Sequence, residues 1–125
     1  MNVWYKTKVL KGAKVGRTIG FPTINLVPDT FINKLKEGVY AAQVKHKNKI
    51  YLGALYFGPR LVKNETHPVL EIYILNFTGE IYEEYIEFMI YDFIRGIKNF
   101  KTLTELKKQI EFDVENIKKI LLDKL

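Results

Sequence analysis

Between residues 38 and 94 the sequence alternates short β-branched and aromatic runs with turn residues, and this spacing constrains the fold more than any other feature of the chain. Gly38 opens a run from Val39 to Val44, Lys47-Asn48 supplies a polar turn, and Ile50 to Phe57 returns as a more apolar run that ends at Gly58-Pro59. That pattern predicts a β-hairpin over 38 to 58. Val69 to Phe77 reads as a third strand, followed by the turn signal Thr78-Gly79. Tyr82 to Ile94 reads as a fourth, with Ile86, Phe88 and Ile90 on one face and Tyr85, Glu87 and Met89 on the other. Weaker strands fall at Val3 to Leu10 and Thr23 to Leu26. Short strands at such intervals favour an antiparallel sheet or barrel. The period then changes. Leu103, Leu106, Ile110, Val114, Ile117 and Leu121 recur every three or four residues, an amphipathic helix with Thr102 and Glu105 placed as a reciprocal capping box. The expectation is an all-β domain closed by a C-terminal helix that covers one end or face of the barrel.

The chain has 125 residues, 47% of them hydrophobic, enough for a single domain with a real core. The barrel is expected over about residues 1–100 and the helix over about 103–123. With no cysteine, disulfides and thiol chemistry are excluded, and two histidines, His46 and His67, leave little for a zinc site. His67, just before the third strand, reads as an ordinary loop histidine. No apolar run approaches the roughly 20 residues of a membrane span, and the N-terminus lacks a signal-peptide pattern, so no membrane association and a cytoplasmic location are expected. A net charge of +6 favours an anionic partner. Nucleotide phosphates and nucleic acid both qualify. The basic residues are spread along the chain, most of them as a solvated surface.

The densest chemistry lies in Gly12-Ala13-Lys14-Val15-Gly16-Arg17-Thr18-Ile19-Gly20-Phe21-Pro22-Thr23-Ile24-Asn25. Its glycines free the backbone to turn and approach a ligand, while Lys14 and Arg17 add positive charge, a combination that suits phosphate. It is neither a Walker loop nor a dinucleotide fingerprint. By composition alone, a basic glycine loop is more often an ordinary surface turn. Pro22 biases Phe21 toward an extended backbone, and Thr23 and Asn25 would then point to one face of a strand. A hydroxyl and an amide oxygen are hard ligands suited to Mg²⁺ on a nucleotide, although two polar residues on an exposed strand face would look the same. Glu71 is the one carboxylate in the otherwise apolar run Val69-Leu70-Glu71-Ile72-Tyr73-Ile74-Leu75. A carboxylate placed so is paired, protonated or functional.

Gly16 to Asn25 resembles the signature of riboflavin kinases of the bacterial and eukaryotic type, a Pro-Thr-Ala-Asn tetrad behind a glycine-rich loop, here with Ile24 in place of alanine. The resemblance continues in order through Gly38-Val39-Tyr40-Ala41, Gly58-Pro59, Leu70-Glu71-Ile72-Tyr73-Ile74, Ile94-Arg95 with Phe100, and Leu106 to Asp113. It implies a six-stranded antiparallel Greek-key barrel of the riboflavin kinase type with a C-terminal helix. It implies Mg-dependent transfer of the ATP γ-phosphoryl group to the riboflavin 5′-hydroxyl, giving FMN and ADP. Carried over by position, Thr23 and Asn25 would hold Mg²⁺ and the ATP phosphates. Gly12, Lys14, Gly16, Arg17, Thr18 and Gly20, with Pro22, would form the nucleotide flap. Glu71 would be the base, and Arg95 and Phe100 would belong to a loop that closes over the flavin.

Three departures bear on the flavin side. Gly96-Ile97 replaces the family's Pro-Glu, Asn76-Phe77-Thr78-Gly79 replaces an Asp-Phe-Tyr-Gly type turn, and Tyr82-Glu83 stands where Tyr-Gly occurs. They leave the phosphoryl-transfer residues untouched. The chain is either a stand-alone kinase or the C-terminal part of a fusion with an FAD-forming adenylyltransferase. ATP and riboflavin are the expected partners, with a monomer and no nucleic acid. Two readings compete: a basic barrel that binds single-stranded nucleic acid through its charge and aromatics, and a flavin-binding module without catalysis.

Overall fold

The computed structural model describes residues 3–11, 20–59 and 67–124. Six strands run in chain order: β1 Tyr5–Lys8, β2 Thr23–Leu26, β3 Gly38–His46, β4 Lys49–Pro59, β5 Pro68–Ile74 and β6 Tyr85–Arg95. One helix, α1, follows at Leu103–Leu121 and tightens into a 3-10 turn at Leu122–Lys124. The strands form one sheet in the order β1-β6-β3-β4-β5-β2, antiparallel at every pairing. Because β3, β4 and β5 are consecutive and β6 returns beside β3, the topology is a Greek key. The sheet curls until its two edges meet. Leu10, just past β1, bridges Asn25 of β2, donating its N–H to the Asn25 carbonyl at 2.8 Å.

The predicted hairpin is present, and its turn shows why. Lys47 and Asn48 have φ of 49° and 66°, the paired positive values of a type I′ turn whose twist matches the flanking strands. Three strand limits differ from the sequence expectation. β5 stops at Ile74, because Leu75-Asn76 turns with Asn76 at φ 59°. β6 begins at Tyr85, since Glu83 adopts φ 67° and Glu84 donates to the Ile81 carbonyl. β1 is shorter than Val3 to Leu10 because Leu10 leaves β6 for β2.

Alternation splits the sheet into two packed layers. Ile24, Leu26, Tyr40, Val44, Leu55, Phe57, Leu70, Ile72, Ile86 and Phe88 fill the barrel, with Phe31 from the β2–β3 connection ringed by Tyr5, Phe57 and Phe88. On the opposite face Ala41, Leu52 and Leu75 meet Val114, Ile117 and Leu121 of α1. The helix thus covers an outer face of the barrel. Thr102 Oγ1 accepts from the Glu105 N–H at 3.1 Å as expected, but the Glu105 carboxylate accepts from the Lys101 N–H rather than from that of Thr102. Gln43, buried on the helix side, donates to the Lys124 carbonyl and accepts from Tyr91, tying the end of α1 to the sheet. Among the described residues, no helix is long and apolar enough to cross a membrane.

Candidate active site

Antiparallel pairing of β2 with β5 sets Asn25 opposite Glu71 and Thr23 opposite Tyr73. Because side chains alternate, Thr23, Asn25 and Glu71 share one face, the same outer face that carries α1. The Thr23 hydroxyl donates to Glu71 Oε1 at 3.2 Å. The three residues that the sequence offered for metal and proton chemistry are therefore adjacent, although 48 positions separate Thr23 from Glu71. Phe21 packs edge-on against Tyr73 at 5.1 Å and holds the entry to β2 against the sheet. Beside Thr23, at the barrel mouth, a depression is lined by Pro22, Ile24, Gly79, Ile81 and Tyr82.

The row continues past Glu71. Glu71 pairs with Tyr56, Tyr56 with Val39, and Val39 with Arg95. Asn25, Glu71, Tyr56, Val39 and Arg95 thus form a single rung across five strands, roughly 19 Å long at the usual strand spacing. Two register shifts between β3 and β6, flanking Tyr40, bring Arg95 into that rung. The Tyr56 hydroxyl donates to the Pro59 carbonyl. Its pKa is pushed up to about 12, first by burial and then by the negative charges of Glu71 and Glu37, with Arg95 opposing them. A Cβ on Gly58 would lie 2.8 Å from Ile97 Cδ1 and 3.3 Å from the Tyr56 oxygen, so the missing side chain lets Ile97 and the phenol close over the same backbone.

Arg95 is the last residue of β6, not part of a free loop. Its Nε donates to both oxygens of Asp113 on α1 at 3.0 Å, and a second guanidinium nitrogen lies 2.9 Å from Oδ2. Asp113 is almost fully buried, and the guanidinium also sits over the Phe100 ring at 5.9 Å. Arg95 and Phe100 are therefore brought together, and their partner is the helix. Asp113 was missed in the sequence although a signal existed: it falls between Ile110 and Ile117 on the apolar stripe of α1, where a carboxylate needs a cation. Tyr56 was missed because only the register places it next to Glu71.

Of the predicted nucleotide residues, Gly20, Pro22, Thr23 and Asn25 converge at the start of β2; Gly20, at φ 87°, adopts a backbone that favours glycine. Gly12, Lys14, Gly16, Arg17 and Thr18 lie outside the described residues. The donor set fits a magnesium ion carried on phosphates. Thr23 and Asn25 carry hard oxygens two residues apart on one strand face, and because the Thr23 hydrogen is directed at Glu71, its lone pairs remain for a cation. Magnesium keeps several waters and shares substrate oxygens, so a pair of protein ligands suffices.

Comparison with known proteins follows the same line. The family model described as Flavokinase: Riboflavin kinase matches residues 1–121. The trifunctional protein RibF/MnmA of Mycoplasmoides gallisepticum is 37% identical over 110 residues, covering 88% of this chain and 17% of its own length. The bifunctional riboflavin kinase/FMN adenylyltransferase of Haemophilus influenzae is 38% identical over 112 residues, covering 89% of this chain and 36% of its own. The chain thus spans about a third or less of these relatives. A crystal structure of riboflavin kinase from Trypanosoma brucei superposes with a TM-score of 0.67 at 22% identity, covering 95% of this chain and 79% of that one, and supports the fold.

Proposed function

Since the chain belongs to the riboflavin kinase family, we propose that it transfers the γ-phosphoryl group of ATP to the 5′-hydroxyl of riboflavin, giving FMN and ADP. The observation that carries this reading is the contact of Thr23 with Glu71, which joins the strand proposed to hold the metal to a carboxylate able to accept the hydroxyl proton. In the reaction the bond from the 5′-oxygen to the γ-phosphorus forms and the bond from that phosphorus to the β–γ bridging oxygen breaks. The hydroxyl proton passes to Glu71. Thr23 and Asn25 would hold Mg²⁺, which would supply charge neutralisation for the nucleotide phosphates. Phosphoryl transfer needs chiefly positioning and electrostatic stabilisation, which a short rung on a rigid sheet provides.

The nucleotide would enter from the β2 end, with Gly12, Lys14, Gly16, Arg17, Thr18 and Gly20 over its phosphates and the depression beside Thr23 open to its base. Riboflavin would then approach from the opposite side of Glu71, toward Arg95 and Phe100. Incubation with riboflavin, ATP and Mg²⁺, followed by chromatography, is expected to yield FMN in proportion to ADP. Absence of FMN with every nucleotide tried would sink the proposal.

A further inference from the structure

Next in line after Glu71 on the side away from Thr23 and Asn25 lies a polar group with no part in phosphoryl transfer, the Tyr56 phenol. Resting on the riboflavin kinase reading, we propose that Tyr56 is a substrate-binding residue whose oxygen accepts a hydrogen bond from a hydroxyl further along the acceptor's polyol chain, and so aims the terminal hydroxyl at Glu71. The geometry supports this in three ways. Glu71 and Tyr56 are directly opposed on neighbouring strands, which separates such side chains by about 5 Å at their bases. That is the reach from a terminal hydroxyl to one that lies one or two carbons inward on a sugar alcohol.

The second support is the direction of the phenol's hydrogen. It is given to the Pro59 carbonyl, so Tyr56 has no further proton to donate but keeps acceptor capacity. A hydroxyl of the acceptor can satisfy that capacity; a phosphate oxygen, which has no proton to give, cannot. The residue therefore discriminates between the two substrates by chemistry as well as by position. Burial and the neighbouring carboxylates hold the phenol neutral, which preserves the arrangement across the physiological range. The third support is packing. The ring head lies over Gly58, with Ile97 against the same glycine, and the buried Val39 follows Tyr56 in the rung before Arg95. A polyol chain laid along the rung would meet a carboxylate and then a phenol oxygen.

The experiment compares wild-type protein with Tyr56→Phe on riboflavin and on its 3′-deoxy and 4′-deoxy analogues, at saturating Mg·ATP. Phenylalanine keeps the ring over Gly58 and removes only the oxygen. The expected result is a riboflavin KM about fivefold higher in the variant, the size of one neutral hydrogen bond, with the ATP KM and the melting temperature little changed. One of the two deoxy analogues should show no such difference between the proteins, since it lacks the donor. If the variant loses equally on riboflavin and on both analogues, Tyr56 acts only through its tether to Pro59 and the inference is overturned. An unchanged riboflavin KM overturns it as well. Wild-type protein that makes no FMN while ATP is present removes the underlying reading instead, a failure visible before any variant is assayed.

Discussion

At the scale of single residues, Glu71 and Thr23 divide the work of the proposed reaction and can be separated. Glu71→Gln keeps the shape of the side chain and an acceptor for the Thr23 hydroxyl but removes the proton acceptor. Turnover is expected to fall about 10²- to 10³-fold, the usual scale of general-base catalysis, with the ATP KM within about twofold of wild type. Rapid-quench measurement of FMN checks this, and equal losses in turnover and ATP affinity would make Glu71 a binding residue. Thr23→Val would remove one of the two oxygens proposed to hold Mg²⁺ and the 3.2 Å bond to Glu71 together. The Mg²⁺ concentration for half-maximal rate is expected to rise about tenfold, as loss of one ligating contact does. Because the two side chains touch, the double variant should lose less than the product of the single losses.

Among elements, the junction of β6 with α1 is held by Arg95 and Asp113, both largely removed from water. Asp113→Ala would leave the guanidinium beside Phe100 without its counter-ion and the Gln109 amide without its acceptor. A cost of about 3 kcal/mol in denaturant unfolding is expected. Replacing both partners, Arg95→Met with Asp113→Leu, should restore most of that stability, because paired apolar groups of similar size need no compensation. If riboflavin KM stays high in the stable double variant, Arg95 also serves the flavin; if it returns to wild type, Arg95 serves the helix alone. This junction also marks where sequence reading reached its limit. The β3–β4 hairpin and α1 were legible because their signals are local: a turn that favours positive φ, and a three-to-four-residue apolar period. The assignment of Glu71, Thr23 and Asn25 came from a resemblance, and their adjacency needed the β2–β5 register. Asp113 had a local signal, a carboxylate on an apolar stripe, but its partner lies across a strand pairing interrupted by two shifts. Tyr56 had none, since a tyrosine in an apolar strand reads as core until its neighbour is known.

On the scale of the whole molecule, the barrel depends on a seam where the chain past β1 turns from β6 toward β2, and Glu84 sits at its centre. Its carbonyl accepts from the Val9 N–H at 2.8 Å, the neighbouring Glu83 N–H donates to the Val9 carbonyl at 2.7 Å, and its carboxylate lies 2.8 Å from Nε2 of the buried His46. The segment fixed there continues through Leu10, whose bridge to Asn25 sets the edge of the proposed magnesium site. Barrel closure and site geometry thus share one stretch of backbone. The bond to His46 is the largest effect and holds the Glu84 pKa below its ordinary value; burial, next in size, opposes it, and the charges of Lys47 and then His46 add smaller lowering contributions. A carboxylate with a depressed folded-state pKa binds its proton more weakly in the folded than in the unfolded protein. Its stabilising contribution is therefore complete above the unfolded value of 4.5 and is lost as pH falls from there through the lower folded value. The expected outcome is a melting temperature that drops on the acid side of that value, with a shallower drop and a lower neutral-pH plateau in Glu84→Gln. The variant's ATP KM should rise at neutral pH as well, because a loosened seam lets Leu10 shift against Asn25. Melting curves that fall in parallel for the two proteins between pH 7 and pH 3 would show that Glu84 closes the barrel through its backbone alone.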